Sequence, residues 1–180
     1  MKKSILLLIA VTAFIFSYAQ TTYTPVDAGS KVHFVIKNFG IKTGGNLSGI
    51  KGLIKFDPVN FSASGFDITV DANTINTDNE TRDSHLKESE YFDVEKYKTI
   101  HFISTKVVRS SKAGRFYVFG NLTIKNVTKP VEFAFGATLK NGGYIFDGQF
   151  EINRRDYGVG GSSISMADNL KVSLSVFAKK

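Results

Sequence analysis

Cysteine is absent from the 180 residues. That excludes a disulfide framework, a cysteine-ligated zinc or iron–sulfur centre, a thiol nucleophile and a lipid anchor on an N-terminal cysteine. Tryptophan is also absent, and histidine is limited to His33, His85 and His101, which leaves little material for imidazole chemistry. No Gly-x-Ser-x-Gly elbow occurs, and no histidine is placed by sequence to activate a serine. The glycine-rich stretch Gly158 to Ser163 follows no parallel-sheet strand and precedes no helix, so it reads as a rim loop and not as a phosphate cradle. What is abundant is phenylalanine (16), glycine (16) and tyrosine (7). Hydrophobic residues at 42% and charged residues at 22% are near globular averages, and the length fits a single domain.

Residues 1–19 read as a secretory signal: Lys2 and Lys3 form a basic start, Ile5 to Phe16 an apolar stretch, and Ser17 and Ala19 the small residues of a cleavage site. The apolar run is shorter than the ~20 residues needed to span a bilayer. Cleavage after Ala19 is expected to leave a mature domain of residues 20–180, periplasmic or secreted, with no stable membrane insertion. Loss of two lysines takes the formal charge from +7 to +5. The basic residues are scattered along polar strand faces, with Arg154-Arg155 and Lys179-Lys180 the only doublets of the mature chain. This distribution reads as solvated surface and not as a nucleic-acid site.

Period-two alternation runs through most of the mature chain. Val32, Phe34 and Ile36 share one strand face, as do Ile50, Ile54 and Phe56, and then Phe66, Ile68 and Val70. The pattern continues through Ile100 to Val108, Phe116 to Ile124, Val131 to Leu139, Tyr144 to Ile152 and Leu170 to Val176, which makes eight strands. Turn signals at Thr43-Gly44-Gly45-Asn46, Asp57-Pro58, Lys112-Ala113-Gly114 and Asn141-Gly142-Gly143 suggest antiparallel neighbours. The one long interruption is Asp78 to Lys98, strongly charged, in which Asp78 or Thr81 could cap a short helix that carries Leu86 and Tyr91-Phe92 toward the sheet. An all-β domain follows. Periodicity leaves open whether two sheets stack or one closes into a barrel, and whether the interior is filled or hollow.

Within that interruption, Arg82-Asp83-Ser84-His85-Leu86 leads to Tyr91-Phe92-Asp93 and then to Tyr97-Lys98-Thr99-Ile100-His101-Phe102. Here the chain resembles the YceI-like family of exported lipid-binding proteins. Gly120-Asn121-Leu122-Thr123-Ile124 and the segment Phe150 to Gly158 extend the likeness, which spans about Tyr23 to Ala178. There are departures: Lys98 stands where the family usually has proline, Gly29 and Asn38 where many members carry histidine, and Tyr91 where phenylalanine is usual. The two missing histidines weaken any family argument for a metal or proton-transfer role. The resemblance implies an eight-stranded antiparallel lipocalin-like barrel with a short helical insertion. Its lumen would bind a long apolar chain, a polyisoprenoid or isoprenoid quinone in some members.

On this reading the lumen is expected to be lined by Phe34, Ile36, Phe56, Phe66, Ile68, Phe102, Phe116, Val118, Phe133, Phe135, Phe146 and Phe150, rings that grip an apolar tail without requiring a polar pattern. Arg82, Asp83 and Arg154 are the candidates for a ligand head at the rim, by the fit of a guanidinium fork to anionic groups; an ion pair tying loop to barrel is the competing role. No catalytic residue, metal ligand or cofactor is expected. A filled barrel acting as an envelope stress or interaction protein, and an isomerase or cyclase acting on a lipid, are the alternatives. The partner expected is an isoprenoid or other long-chain lipid, and homo-oligomerisation is left open.

Overall fold

The structure is a computed structural model that describes residues 21–180. The expected signal and its cleavage site lie outside the described residues. The elements are β1 (Thr22–Pro25), β2 (Lys31–Asn38), β3 (Ile41–Lys55), β4 (Gly65–Asn76), α1 (Glu80–Lys87), β5 (Thr99–Arg109), β6 (Arg115–Ile124), β7 (Val127–Lys140), β8 (Gly143–Asn153) and β9 (Met166–Lys179). Strands β2 to β9 pair in chain order, all antiparallel, and β2 pairs in turn with β9. The sheet therefore closes into the eight-stranded barrel that the family resemblance implied.

β1 is the element that alternation did not reveal. β2 begins only at Lys31, opposite Ser175, so the far ends of β3 and β9 lack a partner there. β1 fills the gap, pairing Tyr23 with Ile54 on one side and Pro25 with Ala178 on the other. Four residues with a proline carry no periodic signal, yet they satisfy backbone groups that would otherwise form an open edge.

One turn is displaced from its expected place. Gly44 and Gly45 lie inside β3, paired with Val35 and Phe34, and the hairpin turns at Phe39-Gly40 with φ of 49° and 77°. Glycine is needed inside the strand for space: a Cβ on Gly45 would stand 2.6 Å from the Phe34 ring. β-bulges shift the facing of side chains within β3, β4 and β5. In β5 the irregularity between Ser104 and Lys106 lets Phe102 and Val107, residues of opposite parity, face the same interior.

The interior divides into two parts. At the end holding β1, Tyr23, Phe56, Phe116, Tyr144 and Phe146 pack with Ile54 and Ala178 into a dense aromatic plug. At the other end the chain leaves β4 for α1 and the segment up to β5. α1 is capped by Asn79, whose side-chain oxygen accepts from the Arg82 amide at 2.9 Å, so neither Asp78 nor Thr81 serves. Tyr91 and Phe92 then pack against a second cluster of Leu122, Ile124, Tyr157 and Val159.

Candidate ligand cavity

Between the plug and the open end lies a cavity of about 250 Å³. Its walls come from every long strand. Phe34 and Ile36 project from β2, Phe66 and Ile68 from β4, Phe102 from β5, and Val118 from β6; Phe133 and Phe135 from β7 with Phe146 and Phe150 from β8 complete the set of ten expected lumen residues found there. Phe56 and Phe116 are not among them. Phe56 is 1% exposed and meets Phe116, Tyr144 and Phe146 edge-on at 5.2–5.4 Å between centroids, which makes it the centre of the plug. Alternation alone places a ring inside the barrel but not at a given depth, and so could not separate plug from wall.

Next to the plug Phe66 reaches across the interior to meet Phe135 and Phe146 edge-on at 5.2 and 5.5 Å, whereas toward the mouth the rings of Phe34 and Phe102 lie along the sheet. Phe133 stacks on Phe150 at 4.7 Å with 19° between planes, and Phe102 leans on Phe133 at 5.7 Å. Two inward-facing glycines make this possible. The Phe34 ring covers Gly45, and the Phe102 ring covers Gly120, where an added Cβ would stand 2.6 Å from ring carbons. A ring laid over a glycine keeps its apolar face toward the lumen and leaves the centre free. Sequence reasoning also left out of the lining Leu47, Ile50 and Ile54 of β3, Leu170, Val172 and Leu174 of β9, and Leu86, Tyr91 and Phe92 above the mouth. Except for Leu47, these residues belong to the apolar faces of the strands or to the apolar side of the insertion, so alternation carries their signal.

The polar lining gathers at the mouth. Asn38, Thr43, Thr77, Arg82 and Arg154 all sit at strand ends or on the connections beyond them. Asp147 also borders the cavity, but it alternates with Phe146 and Gly148 and is engaged by Arg115. Arg82 Nε donates to Thr77 Oγ1 and Nη2 to the Thr77 carbonyl, each at 2.7 Å. Among the described residues its Nη1 has no hydrogen-bond acceptor, so one edge of the guanidinium remains available at the cavity. Asp83 does not line the cavity. Its carboxylate accepts from the Thr77 amide at 2.9 Å and from the Thr77 hydroxyl, fixing the first residues after β4 to α1; the rim role expected for it gives way to this clasp.

Arg154 borders the cavity but is committed to the protein. The residue is 3% exposed, and its guanidinium donates to the carbonyls of Val159 (3.0 Å), Gly161 (2.9 Å) and Ala167 (3.0 Å) and to Asp168 Oδ1 (3.0 Å). Five donors in a rigid fork suit this task, because they hold both ends of the loop from Gly158 to Met166 at once. Arg155 completes the group by reaching Asp168 Oδ2 at 3.3 Å. Beside it, burial together with the Asp156 charge pushes the Tyr157 hydroxyl up to about 12. Burial also raises Tyr144 in the plug, with Tyr23 and Asp57 adding to the effect. Neither tyrosine lines the cavity.

The three histidines do not converge. His33 contacts Asn46 Oδ1 at 3.0 Å, His101 contacts Asp67 Oδ1 at 2.7 Å, and His85 packs on Tyr91 with centroids 5.0 Å apart. No group of three potential metal ligands occurs among the described residues.

Comparison with known proteins places this barrel. The chain is 28% identical over 170 residues to a protein of Vibrio cholerae serotype O1 designated UPF0312, covering 88% of this chain and 89% of that one. It is 30% identical over 135 residues to the UPF0312 protein of Yersinia enterocolitica, covering 71% and 69%. The crystal structure of the Campylobacter jejuni YceI protein superposes with a TM-score of 0.67 at 26% identity, over 76% of this chain and 84% of that one. Two further structures share the fold. BcnA of Burkholderia cenocepacia has a TM-score of 0.81 at 23% identity, over 86% and 99% of the two chains. A protein from Saccharophagus degradans described as a polyisoprenoid binding domain has a TM-score of 0.69 at 14% identity, over 89% and 99%. The profile of the YceI-like domain itself matches residues 23–178, from the first residues of β1 to the end of β9; with barrel, insertion and bore all inside that span, the chain belongs to the YceI-like family.

Proposed function

We propose that this protein is an exported carrier or reservoir that holds one long apolar chain without covalent attachment, its tail in the lumen and its head at the mouth. An isoprenoid, an isoprenoid quinone or a fatty amphiphile meets that description. The observation that carries the reading is the separation of chemistry along the bore: apolar walls below, with Asn38, Thr43, Thr77 and Arg82 confined to the mouth. Each Å² of apolar surface removed from water contributes about 25 cal/mol, so a long tail binds strongly with few polar contacts. The free edge of Arg82 offers a head group one charge-assisted bond. The Saccharophagus degradans domain of the same fold, described as binding polyisoprenoid, supports the same class of ligand.

Binding is favoured over catalysis because, among the described residues, the titratable side chain that borders the cavity below the mouth is Asp147, which Arg115 holds in an ion pair, and general acid–base chemistry needs a free group within reach of the reacting atoms. The signal-like start of the sequence supports a periplasmic or secreted location. The test is to extract the protein purified from its own host with organic solvent, identify the released compound by mass spectrometry, and titrate delipidated protein with prenyl and acyl chains of increasing length. One ligand per chain and an affinity that rises with tail length are expected. Preference for small water-soluble compounds, or indifference to length, would overturn the reading.

A further inference from the structure

Two hairpins of this barrel have the same two-residue turn. At the plug end, Asn141-Gly142 turns with φ of 48° and 76°; at the mouth, Phe39-Gly40 turns with 49° and 77°. Both central residues require the left-handed region, which asparagine and glycine enter readily and a bulky side chain does not. The plug-end turn uses the residue that fits. The mouth turn uses phenylalanine, and its ring is not buried in compensation: Phe39 is 80% exposed. Strain held at an exposed position points to a use outside the fold.

Two more apolar side chains stand beside it. Ile41 is 70% exposed, and Ile164 is fully exposed. The Phe39 amide donates to the Ser165 carbonyl at 2.7 Å, which joins the hairpin tip to the loop carrying Ile164. Ile41 pairs with Asn38, a cavity-lining residue, and therefore lies on the lumen side of the hairpin but beyond the rim. The apolar tip thus continues the inner wall outward through Asn38, Ile36 and Met166.

Charge on the hairpin tip itself is of one sign, and the neighbouring acid on β9, Asp168, is engaged by Arg154 and Arg155. Lys37 and Lys42 are direct cross-strand partners on the outer face. Neither residues 37–42 nor 158–165 include an acidic residue. The opening is also bordered by residues 78–98, which carry seven acidic and four basic side chains and meet the 158–165 loop where the Gly160 amide donates to the Glu90 carbonyl at 2.9 Å. The register thus sets these two lysines side by side at the hairpin.

We infer that Phe39, Ile41 and Ile164, flanked by Lys37 and Lys42, form a foot that docks the open mouth on an anionic phospholipid surface, so that a tail can pass between bilayer and lumen without crossing water. This rests on the lipid-carrier reading for its purpose but not for its measurement. Aromatic and aliphatic side chains enter the interfacial region while lysines meet anionic head groups. The contact is peripheral.

The lack of tryptophan supplies the probe. Phe39→Trp keeps a ring at the tip, and Val59→Trp places a control at an 85% exposed position near the plug end. Each is titrated with vesicles of phosphatidylethanolamine and phosphatidylglycerol, with and without brominated acyl chains, and with phosphatidylcholine vesicles. Expected for Phe39→Trp are a blue-shifted emission and bromine quenching, with binding roughly tenfold or more weaker in Lys37→Glu/Lys42→Glu or on phosphatidylcholine. Val59→Trp should show neither signal. No shift at residue 39, or equal shifts at both residues, overturns the proposal; a shift without vesicles that depends on protein concentration assigns the foot to a second copy of this chain instead.

Extraction of lipid from Phe39→Ser/Ile164→Ser separates this proposal from the reading beneath it. Neither residue lines the cavity, so a carrier whose docking alone is lost still contains its ligand. Wild type that docks but yields no lipid leaves the foot standing and removes the carrier.

Discussion

Replacing one ring in the plug and one in the wall should produce different losses, and the difference measures whether the lumen is hollow. A buried aromatic side chain removes about 150–250 Å² from water, worth about 4–6 kcal/mol at 25 cal/mol per Å². Phe56 is 1% exposed and ringed by Phe116, Phe135, Tyr144 and Phe146. Phe56→Ala therefore leaves a sealed hole and should destabilise at the upper end of the usual range, about 4–5 kcal/mol. Phe150 stacks on Phe133 and borders the cavity. Its truncation enlarges a space that already exists, so the penalty for a new hole largely disappears and roughly half the transfer energy is lost, about 2 kcal/mol. Urea unfolding of delipidated protein, with matched slopes, gives both numbers. Phe150→Ala should also change the length of prenyl chain retained, whereas folded Phe56→Ala should not. Equal losses near 4–5 kcal/mol at both positions, with no ligand retained by wild type, would refute the hollow lumen and favour a filled barrel.

Arg154→Met should destabilise by about 3–5 kcal/mol, because it strands the carbonyls of Val159, Gly161 and Ala167 and the carboxylate of Asp168; hydrogen exchange should locate the loosening at residues 158–168. The raised Tyr157 hydroxyl stabilises the fold fully below its unfolded value near 10, and this is lost as pH rises through about 12. Wild type should therefore lose about 2–3 kcal/mol more than Tyr157→Phe between those limits, and parallel pH curves for the two would contradict the assignment. Asn79→Ala removes the α1 cap and should cost about 1 kcal/mol, read as a fall in the urea midpoint. Arg82→Gln should weaken binding of a phosphorylated prenyl chain more than that of the uncharged alcohol, since only the former needs the free guanidinium edge; equal weakening would place the head elsewhere. The intact mass of exported protein should correspond to a chain beginning at Gln20, and a full-length mass would contradict the processing expected from Ser17 and Ala19.

The main strands were legible because a barrel wall has one dry face and one wet face, and alternation records that difference directly. Phe66, Ile68 and Val70 alternate with Asp67, Thr69 and Asp71, and Ile68 and Val70 pair across to Phe102 and Ile100. Long-range pairing was not legible. Gly44-Gly45 reads as a turn by local preference, yet these residues are strand because the Phe34 and His33 rings need the space above them. The bulge in β5 and the short β1 depend on how neighbouring strands end, which no window of sequence contains. The same applies to the site: apolar faces named ten lumen residues, whereas the depth of Phe56, the self-contained network of Arg154 and the clasp between Asp83 and Thr77 became visible only when the chain was closed.

The two rings resting on glycine make the calibre of the bore a property of two absent methyl groups. Alanine at residue 45 or 120 would require the Phe34 or Phe102 ring to lift off the wall toward the axis, and at residue 120 the added Cβ would also meet the Ile103 carbonyl at 2.6 Å. A single-codon change at residue 45 thus displaces the Phe34 ring and the Thr77 methyl, which would stand 2.7 Å from the added Cβ, and narrows the passage near the mouth without altering the identity of any other wall residue. Girth and depth of cargo are set by different parts of the molecule: depth by the position of the aromatic plug, girth by the glycines. A barrel built this way can change what it admits through small substitutions in the sheet, without remodelling a loop.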